Sequence, residues 1–398
     1  MQRIKQMQEE KQRQLLLRRK IIQGAPYAAA FALLILVIWL GVSLFGNKAD
    51  KAGDNEVKAD ILVRENASSA EDSVAVNDSN VINPVKNVLN DLAQQGMSEA
   101  EAPFTAEQEP KHYEAEATGK TIGLGDEIIS KYAVLIDLDH GDILARKGSK
   151  EIISPASMTK ILTVLVAAES LGDAKKLDDE FTMTLEVTDY GYVRHCSSAG
   201  FEAGETVTVR DLFYGTILPS GADAAVGLAV YTAGSQEAFV ELMNKKLEQM
   251  GLSKTAHMTN CVGVYDAEHY CTIYDIAMIL EAAIDNQLCR EILAAHTYQT
   301  SETAQHPDGL LLSNWFLRRI EDHDTGGEVI CGKTGYVEQS GSCAASYGLD
   351  HDGNRFICVT ADATSQWKCI EDHVTLYKQF ASEESLAKNE MEAEEAVG

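Results

Sequence analysis

The stretch "EVICGKTGYV", Glu328 to Val337, follows Gly327 and reads as a β-strand from its run of apolar and β-branched residues. Beyond it, "SCAASYGL" (Ser342–Leu349) and "RFICVTA" (Arg355–Ala361) read as two more strands joined by a "DHDGN" turn, and "SQWKCIEDHVTLYKQFA" (Ser365–Ala381) as a closing helix. Before it the pattern is helical. "TIYDIAMILEAAI" opens with Thr272 and Asp275 at capping-box spacing. "SQEAFVELMNKKLEQMG" starts at Ser235, sets Phe239, Val240, Met243 and Leu247 on one face, and stops at Gly251. "SMTKILTVLVAAESLG" (Ser157–Gly172) has apolar spacing suited to a buried helix. Strands return only in "KYAVLIDLDHGDILARKG" (Lys131–Gly148), two strand-like runs around an Asp-His-Gly-Asp turn. Strands at both ends and helices between them predict an α+β domain over residues 123–381, with one antiparallel β-sheet joining the ends and the helices packed against it.

The 398-residue chain is 45% hydrophobic and carries a formal net charge of -27. Such a charge repels phosphates, so no nucleic-acid partner is expected. The charge is uneven: the first twenty residues are basic, whereas the segment after residue 47 and the tail are acidic. No charged residue lies between Lys20 and Lys48, and "APYAAAFALLILVIWLGVSLFG" (Ala25–Gly46) would span about 33 Å as a helix, matching a bilayer core. A cleavable signal peptide would have a shorter apolar region and a small-residue cleavage site. The expected organisation is a basic cytoplasmic tail (1–22), a single transmembrane helix (23–46), a disordered acidic stalk (47–122), the folded domain, and an acidic tail (382–398). The folded domain is then on the exported side, where disulfides are allowed. All eight cysteines fall there, without zinc-ribbon spacing; Cys331 and Cys343 either face each other across a hairpin or stay buried thiols.

Three stretches carry chemistry when read together. In "SPASMTK" (Ser154–Lys160), Ser157 and Lys160 stand three apart at a helix start, so one turn brings the amine beside the hydroxyl. A serine is a poor nucleophile without a base, and lysine serves as one only if burial or a nearby positive charge brings its pKa well below about 10.4. Lys333 in "CGKTG" (Cys331–Gly335) is expected to supply that charge. The third stretch is "LPSGADAA" (Leu218–Ala225), where Ser220 and Asp223 have the spacing of a capping box; taken alone, Ser220 only starts a helix.

Ser-x-x-Lys, a serine turn and Lys-Thr-Gly, in that order, resemble the signature of the penicillin-binding D-Ala-D-Ala carboxypeptidases, low-molecular-mass relatives of the serine β-lactamases. Further similarity lies in "ETVTVRDL" (Glu205–Leu212) and "GLSKTAHMTNCVGVYDAEHYCTIYDIAMI" (Gly251–Ile279), and the resemblance covers about Ile122 to Phe380. It implies a serine β-lactamase/DD-peptidase-like fold, a peptidoglycan stem peptide ending in D-Ala-D-Ala as substrate, and neither metal nor cofactor. Ser157 would attack the carbonyl of the penultimate D-alanine, Lys160 would take its proton, and Ser220 would relay a proton to the departing D-alanine. Lys333 and Thr334 would hold the terminal carboxylate. Gly335 completes the motif, and the backbone N–H groups of Ser157 and Tyr336 would form the oxyanion hole. β-Lactam antibiotics are implied as covalent inhibitors, and the place of action as a bacterial cell membrane, with the catalytic domain extracellular or periplasmic.

The departure from the family pattern is Ala222, where asparagine is usual. Losing one hydrogen bond to a charged partner costs about 1.5–3 kcal/mol, a slowing of ten- to a hundredfold. Two other readings stay open: a pseudoenzyme that binds wall peptide without turnover, and a β-lactamase. The second needs a glutamate for the deacylating water, and Glu241 in "ELMN" reads instead as a solvated helix residue. A zinc peptidase would need a His-Glu-x-x-His pattern, which is missing; His323 reads as part of a polar loop. Past Lys333 there is room for the sheet, the last helix and an acidic tail without the basic face of a membrane-surface helix, so the N-terminal span is the expected anchor.

Overall fold

The computed structural model describes residues 113–381; the expected cytoplasmic tail, transmembrane helix, acidic tail and most of the stalk lie outside the described residues. In chain order the elements are β1 (Glu116–Gly123), β2 (Tyr132–Asp137), β3 (Asp142–Lys147), α1 (Thr159–Leu171), β4 (Glu180–Thr182), α2 (Leu185–Tyr192), β5 (Thr206–Thr208), α3 (Val209–Ile217), α4 (Ala222–Ala233) and α5 (Gln236–Gln249). There follow α6 (Ile273–Asp285), α7 (Gln287–Leu293), β6 (Thr297–Gln299), β7 (Leu311–Ser313), α8 (Leu317–Ile320), β8 (Gly327–Val337), β9 (Gly341–Asp350), β10 (Arg355–Ala363) and α9 (Gln366–Phe380). Among these described residues no helix is long and apolar enough to cross a membrane.

Six strands form one sheet in the order β1-β3-β2-β10-β9-β8, so domain segments far apart in sequence meet at β2 and β10, as the strand-helix-strand pattern predicts. The pairs β8–β9, β9–β10, β10–β2 and β2–β3 are antiparallel. The edge pair differs from expectation, because β1 runs parallel to β3 and begins at Glu116, inside the segment expected to be stalk. Its sequence, "EATGKTIG", is polar and wholly exposed or half-buried, so no apolar alternation marks it. What holds it is backbone pairing, with the Thr121 hydroxyl donating to the Ile143 carbonyl at 2.6 Å.

Alternation along the strands assigns side chains to layers. Val134, Ile136, Ile357 and Val359 face the large core that contains α1 and α6. Ala133, Leu135, Phe356 and Cys358 face Leu376 and Tyr377 of α9, and Ala344 and Ala363 meet Phe316 and Ile370. The sheet is therefore covered on both faces, and each fully buried leucine or isoleucine contributes about 1.5–3 kcal/mol relative to exposure.

The helices follow their sequence signals closely. α1 is buried from Thr159 to Ala168. Ser235 caps α5 by accepting from Ala238 N–H, with Phe239, Met243 and Leu247 buried, Val240 half-buried and Glu241 exposed. The Thr272/Asp275 capping box forms in full. The cysteines do not pair: Cys331 lies opposite Tyr347 and Cys343 opposite Gly335, so both are among seven buried free thiols, and Cys196 is half-buried.

Candidate active site

Ser157 stands in a single 3-10 turn, Ala156–Met158, that leads into α1. Ala156 has φ 48, in the left-handed region, and its carbonyl is backed by Gly263, where an added Cβ would lie 1.8 Å from the Ala156 oxygen. Gly263, with φ 88, is thus required both by conformation and by space, and it presses on the turn that carries Ser157. Lys160, one turn further on, donates from Nζ to Ser157 Oγ at 2.9 Å and to the Val262 carbonyl at 2.7 Å. Ser157 is half-buried, whereas Lys160 is 1% exposed. Burial lowers the Lys160 pKa to about 8, against the opposing pull of Cys196, Cys261 and Asp223.

Strand β8 brings in the second lysine. Lys333 Nζ donates to Ser220 Oγ at 2.9 Å and to the Thr334 carbonyl at 2.8 Å. Burial, and after it the nearby Lys160, push the Lys333 pKa well below its ordinary value. Burial is the main cause of the lowered Lys160 pKa, and the mutual repulsion of the two buried lysines adds to the pressure on the pair to shed a proton. Thr334 is half-buried beside it. Gly335 lies against the turn that carries Ser157, since a Cβ there would stand 2.7 Å from Cys343 Sγ, 3.0 Å from Ser157 N and 3.1 Å from Ala156 Cβ. Tyr336 follows on this edge strand, opposite Ser342, with its side chain turned to solvent.

Ser220 does not make the capping box. Its φ is 62, whereas a capping residue needs extended backbone, and α4 starts from Gly221 without a side-chain cap. The Asp223 carboxylate instead accepts from Ser198 Oγ (2.7 Å) and from the N–H groups of Ala199 (2.8 Å), Gly200 (3.1 Å) and Phe201 (3.2 Å). This clamps the loop after α2 onto α4 and leaves the Ser220 hydroxyl to Lys333. Gly221 has no room for a side chain, because a Cβ would lie 2.6 Å from Ala199 N and 2.7 Å from the Gly215 carbonyl. Ala222 is fully buried, and its methyl packs on Gly191, where a Cβ would come within 2.8 Å.

The seven residues singled out from sequence come from α1 and the turn before it, the α3–α4 turn and β8, and they make two hydroxyl–amine pairs, Ser157–Lys160 and Ser220–Lys333. Sequence reasoning missed the Val262 carbonyl, a backbone atom with no letter of its own; the nearby "TNCVG" was visible only as part of a longer similarity. Chemically, the first pair sets a hydroxyl against an amine that burial makes easier to deprotonate, an arrangement that can serve as nucleophile and base, and the second is a lysine-and-hydroxyl site that can receive a carboxylate.

A family model described as D-alanyl-D-alanine carboxypeptidase matches residues 117–365. The D-alanyl-D-alanine carboxypeptidase DacF of Bacillus subtilis (strain 168) is 31% identical over 215 residues, 54% of this chain and 52% of that protein. The D-alanyl-D-alanine carboxypeptidase DacC of Escherichia coli (strain K12) is 36% identical over 154 residues, 38% of each chain. The chain thus spans about half or less of the length of these curated relatives. The crystal structure of penicillin binding protein 5 from Haemophilus influenzae is similar with a TM-score of 0.57 and 26% identity, over 64% of this chain and 71% of that one.

Proposed function

The chain belongs to the D-alanyl-D-alanine carboxypeptidase family, and from that premise we propose that it is a serine peptidase that removes the terminal D-alanine from peptidoglycan stem peptides through an acyl-enzyme. The observation that carries this reading is the 2.9 Å contact of Ser157 Oγ with a buried lysine whose pKa is near 8. The terminal carboxylate enters beside Lys333 and Thr334, and its negative charge favours the protonated form of Lys333. Through repulsion, that in turn favours the neutral form of Lys160. Ser157 Oγ then attacks the penultimate carbonyl as Lys160 takes its proton. The oxyanion is held by the backbone N–H groups of Ser157 and Tyr336, with Gly335 leaving the space between them. Collapse breaks the peptide bond, the amine of the departing D-alanine gains a proton through Ser220, and water hydrolyses the Ser157 ester. A β-lactam acylates the same oxygen and stays.

The uncharged run Ala25–Gly46 supports a single-pass anchor with a cytoplasmic N-terminus and the catalytic domain on the outer side of a bacterial membrane. A second reading, a wall-peptide binder without turnover, is favoured by one feature, the absence of any polar atom on the buried Ala222 side chain. Treating the detergent-solubilised full chain with a fluorescent penicillin, and locating the adduct by peptide mass spectrometry, tests the proposal. Label on Ser157, and none on Ser157→Ala, is expected; label elsewhere refutes it. Rapid release of hydrolysed penicillin would indicate a β-lactamase, and a chelator should change nothing.

A further inference from the structure

Lys160 is held from few directions. Its Nζ donates to Ser157 Oγ on one side and to the Val262 carbonyl on the other, and Asp223 of α4 acts on it through its charge. A neutral amine has two N–H bonds and one lone pair. An acceptor that holds one N–H elsewhere favours the orientation in which the lone pair faces the hydroxyl and can receive the Ser157 proton.

That acceptor belongs to a loop with an unusual internal brace. The Asn260 side-chain oxygen accepts from three successive backbone N–H groups, Val262 (3.1 Å), Gly263 (2.7 Å) and Val264 (3.0 Å), while its NH₂ donates to the Val264 carbonyl (2.9 Å). Two side chains of α1 pin the loop from the other side. Thr163 donates to the Cys261 carbonyl at 2.7 Å, and Thr159 bonds His269 Nε2 at 2.9 Å. His269 Nδ1 accepts from Thr259 N–H, which leaves the ring proton on Nε2.

We propose that Asn260 is a positioning residue for the reaction: by gathering three N–H groups it fixes the Val262 carbonyl on Lys160 and so aims the amine's lone pair at Ser157. This rests on the reading of Ser157 and Lys160 as nucleophile and base. When the proton moves from Ser157 to Lys160, the same carbonyl accepts from the new ammonium, a stronger bond than to the amine. Besides Ser157 Oγ, the loop carbonyl is the acceptor bonded to the Lys160 amine among the described residues.

The test is the pH profile of penicillin acylation in the full chain for wild type, Asn260→Ala, Asn260→Asp and Ser157→Ala, with the labelled fraction recorded at each pH. Lys160 is faced by Lys333 from β8, Asp223 from α4, Cys196 beyond α2 and Cys261 in the loop, and the Asn260 variants alter none of these. Asn260→Ala should keep the final labelled fraction, lose about ten- to a hundredfold in acylation rate, and move the acid limb to lower pH, because the ammonium loses its acceptor. Asn260→Asp keeps the brace oxygen and adds a negative charge, so its limb should move to higher pH. An unchanged limb and rate in Asn260→Ala, or a loss confined to the labelled fraction, overturns the proposal. Should Asn260→Ala not fold, an unmoved limb in Asn260→Asp overturns it. Wild type that fails to label, or Ser157→Ala that labels, would instead refute the reading of Ser157 itself.

Discussion

Replacing Gly335 by alanine probes the site through a single added methyl. Gly335 has no left-handed φ, so alanine is allowed by the backbone and any effect comes from space. The new Cβ would lie 2.7 Å from Cys343 Sγ, 3.0 Å from Ser157 N and 3.1 Å from Ala156 Cβ. Overpacking of this kind costs about 1–3 kcal/mol of stability, or about 2–4 °C in Tm for each kcal/mol. The same methyl crowds the Ser157 N–H, which the proposed mechanism uses as an oxyanion donor, and loss of one such donor slows acyl transfer by about a hundred- to a thousandfold. Thermal denaturation and the rate of D-alanine release measure the two effects separately. Adding Cys343→Ala removes the tightest contact, so the double variant should recover stability but not rate, since the Ser157 contact remains. Gly119→Ala, with nothing within 4 Å, should be neutral in both assays. A Gly335→Ala enzyme within threefold of wild type, or a double variant with restored rate, would refute this account of the site.

In the proposed mechanism only neutral Lys160 accepts the Ser157 proton, so acylation by penicillin should rise with pH through about 8 and fall about tenfold per unit below it; a rate independent of pH from 6 to 9 would contradict this. A thiol reagent should modify one of the eight cysteines, Cys196, in the native protein and all eight in denaturant, read by mass spectrometry; fast native modification of a second site would show that the core is more open than described. His269 and His373 are buried, with pKa values lowered from 6.5 to about 4 and about 3. Between those values and 6.5 the unfolded chain binds protons that the folded one does not, so stability present above pH 6.5 is lost as pH falls, by about 1.4 kcal/mol per unit for each histidine. Denaturant unfolding from pH 7 to 4.5 should show this slope, and His269→Gln should reduce it by one proton; an unchanged slope would refute the assignment to His269.

What was legible in the sequence was what side chains encode directly. The central strands β2, β9 and β10 are apolar runs, α5 and α6 announce their caps, and Ser157, Lys160 and Lys333 stand at informative spacings. Strand β1 was not legible, because an edge strand made by backbone pairing needs no apolar pattern. The Ser220/Asp223 spacing misled for a related reason: Ser220 has a left-handed φ and the Asp223 carboxylate is taken by Ser198 and by the N–H groups of Ala199, Gly200 and Phe201, contacts between segments that the local pattern does not contain. The Val262 carbonyl was invisible as a backbone atom, although the Asn260 that places it was in plain view.

The central claim is that Ser157, activated by Lys160, turns over a D-Ala-D-Ala peptide despite Ala222. The direct measurement is D-alanine release from a stem-peptide analogue by the full chain, compared with Ser157→Ala at equal penicillin-free concentration. Sustained release by wild type through many turnovers, abolished in Ser157→Ala, is predicted. Penicillin labelling of Ser157 without any release of D-alanine would contradict it.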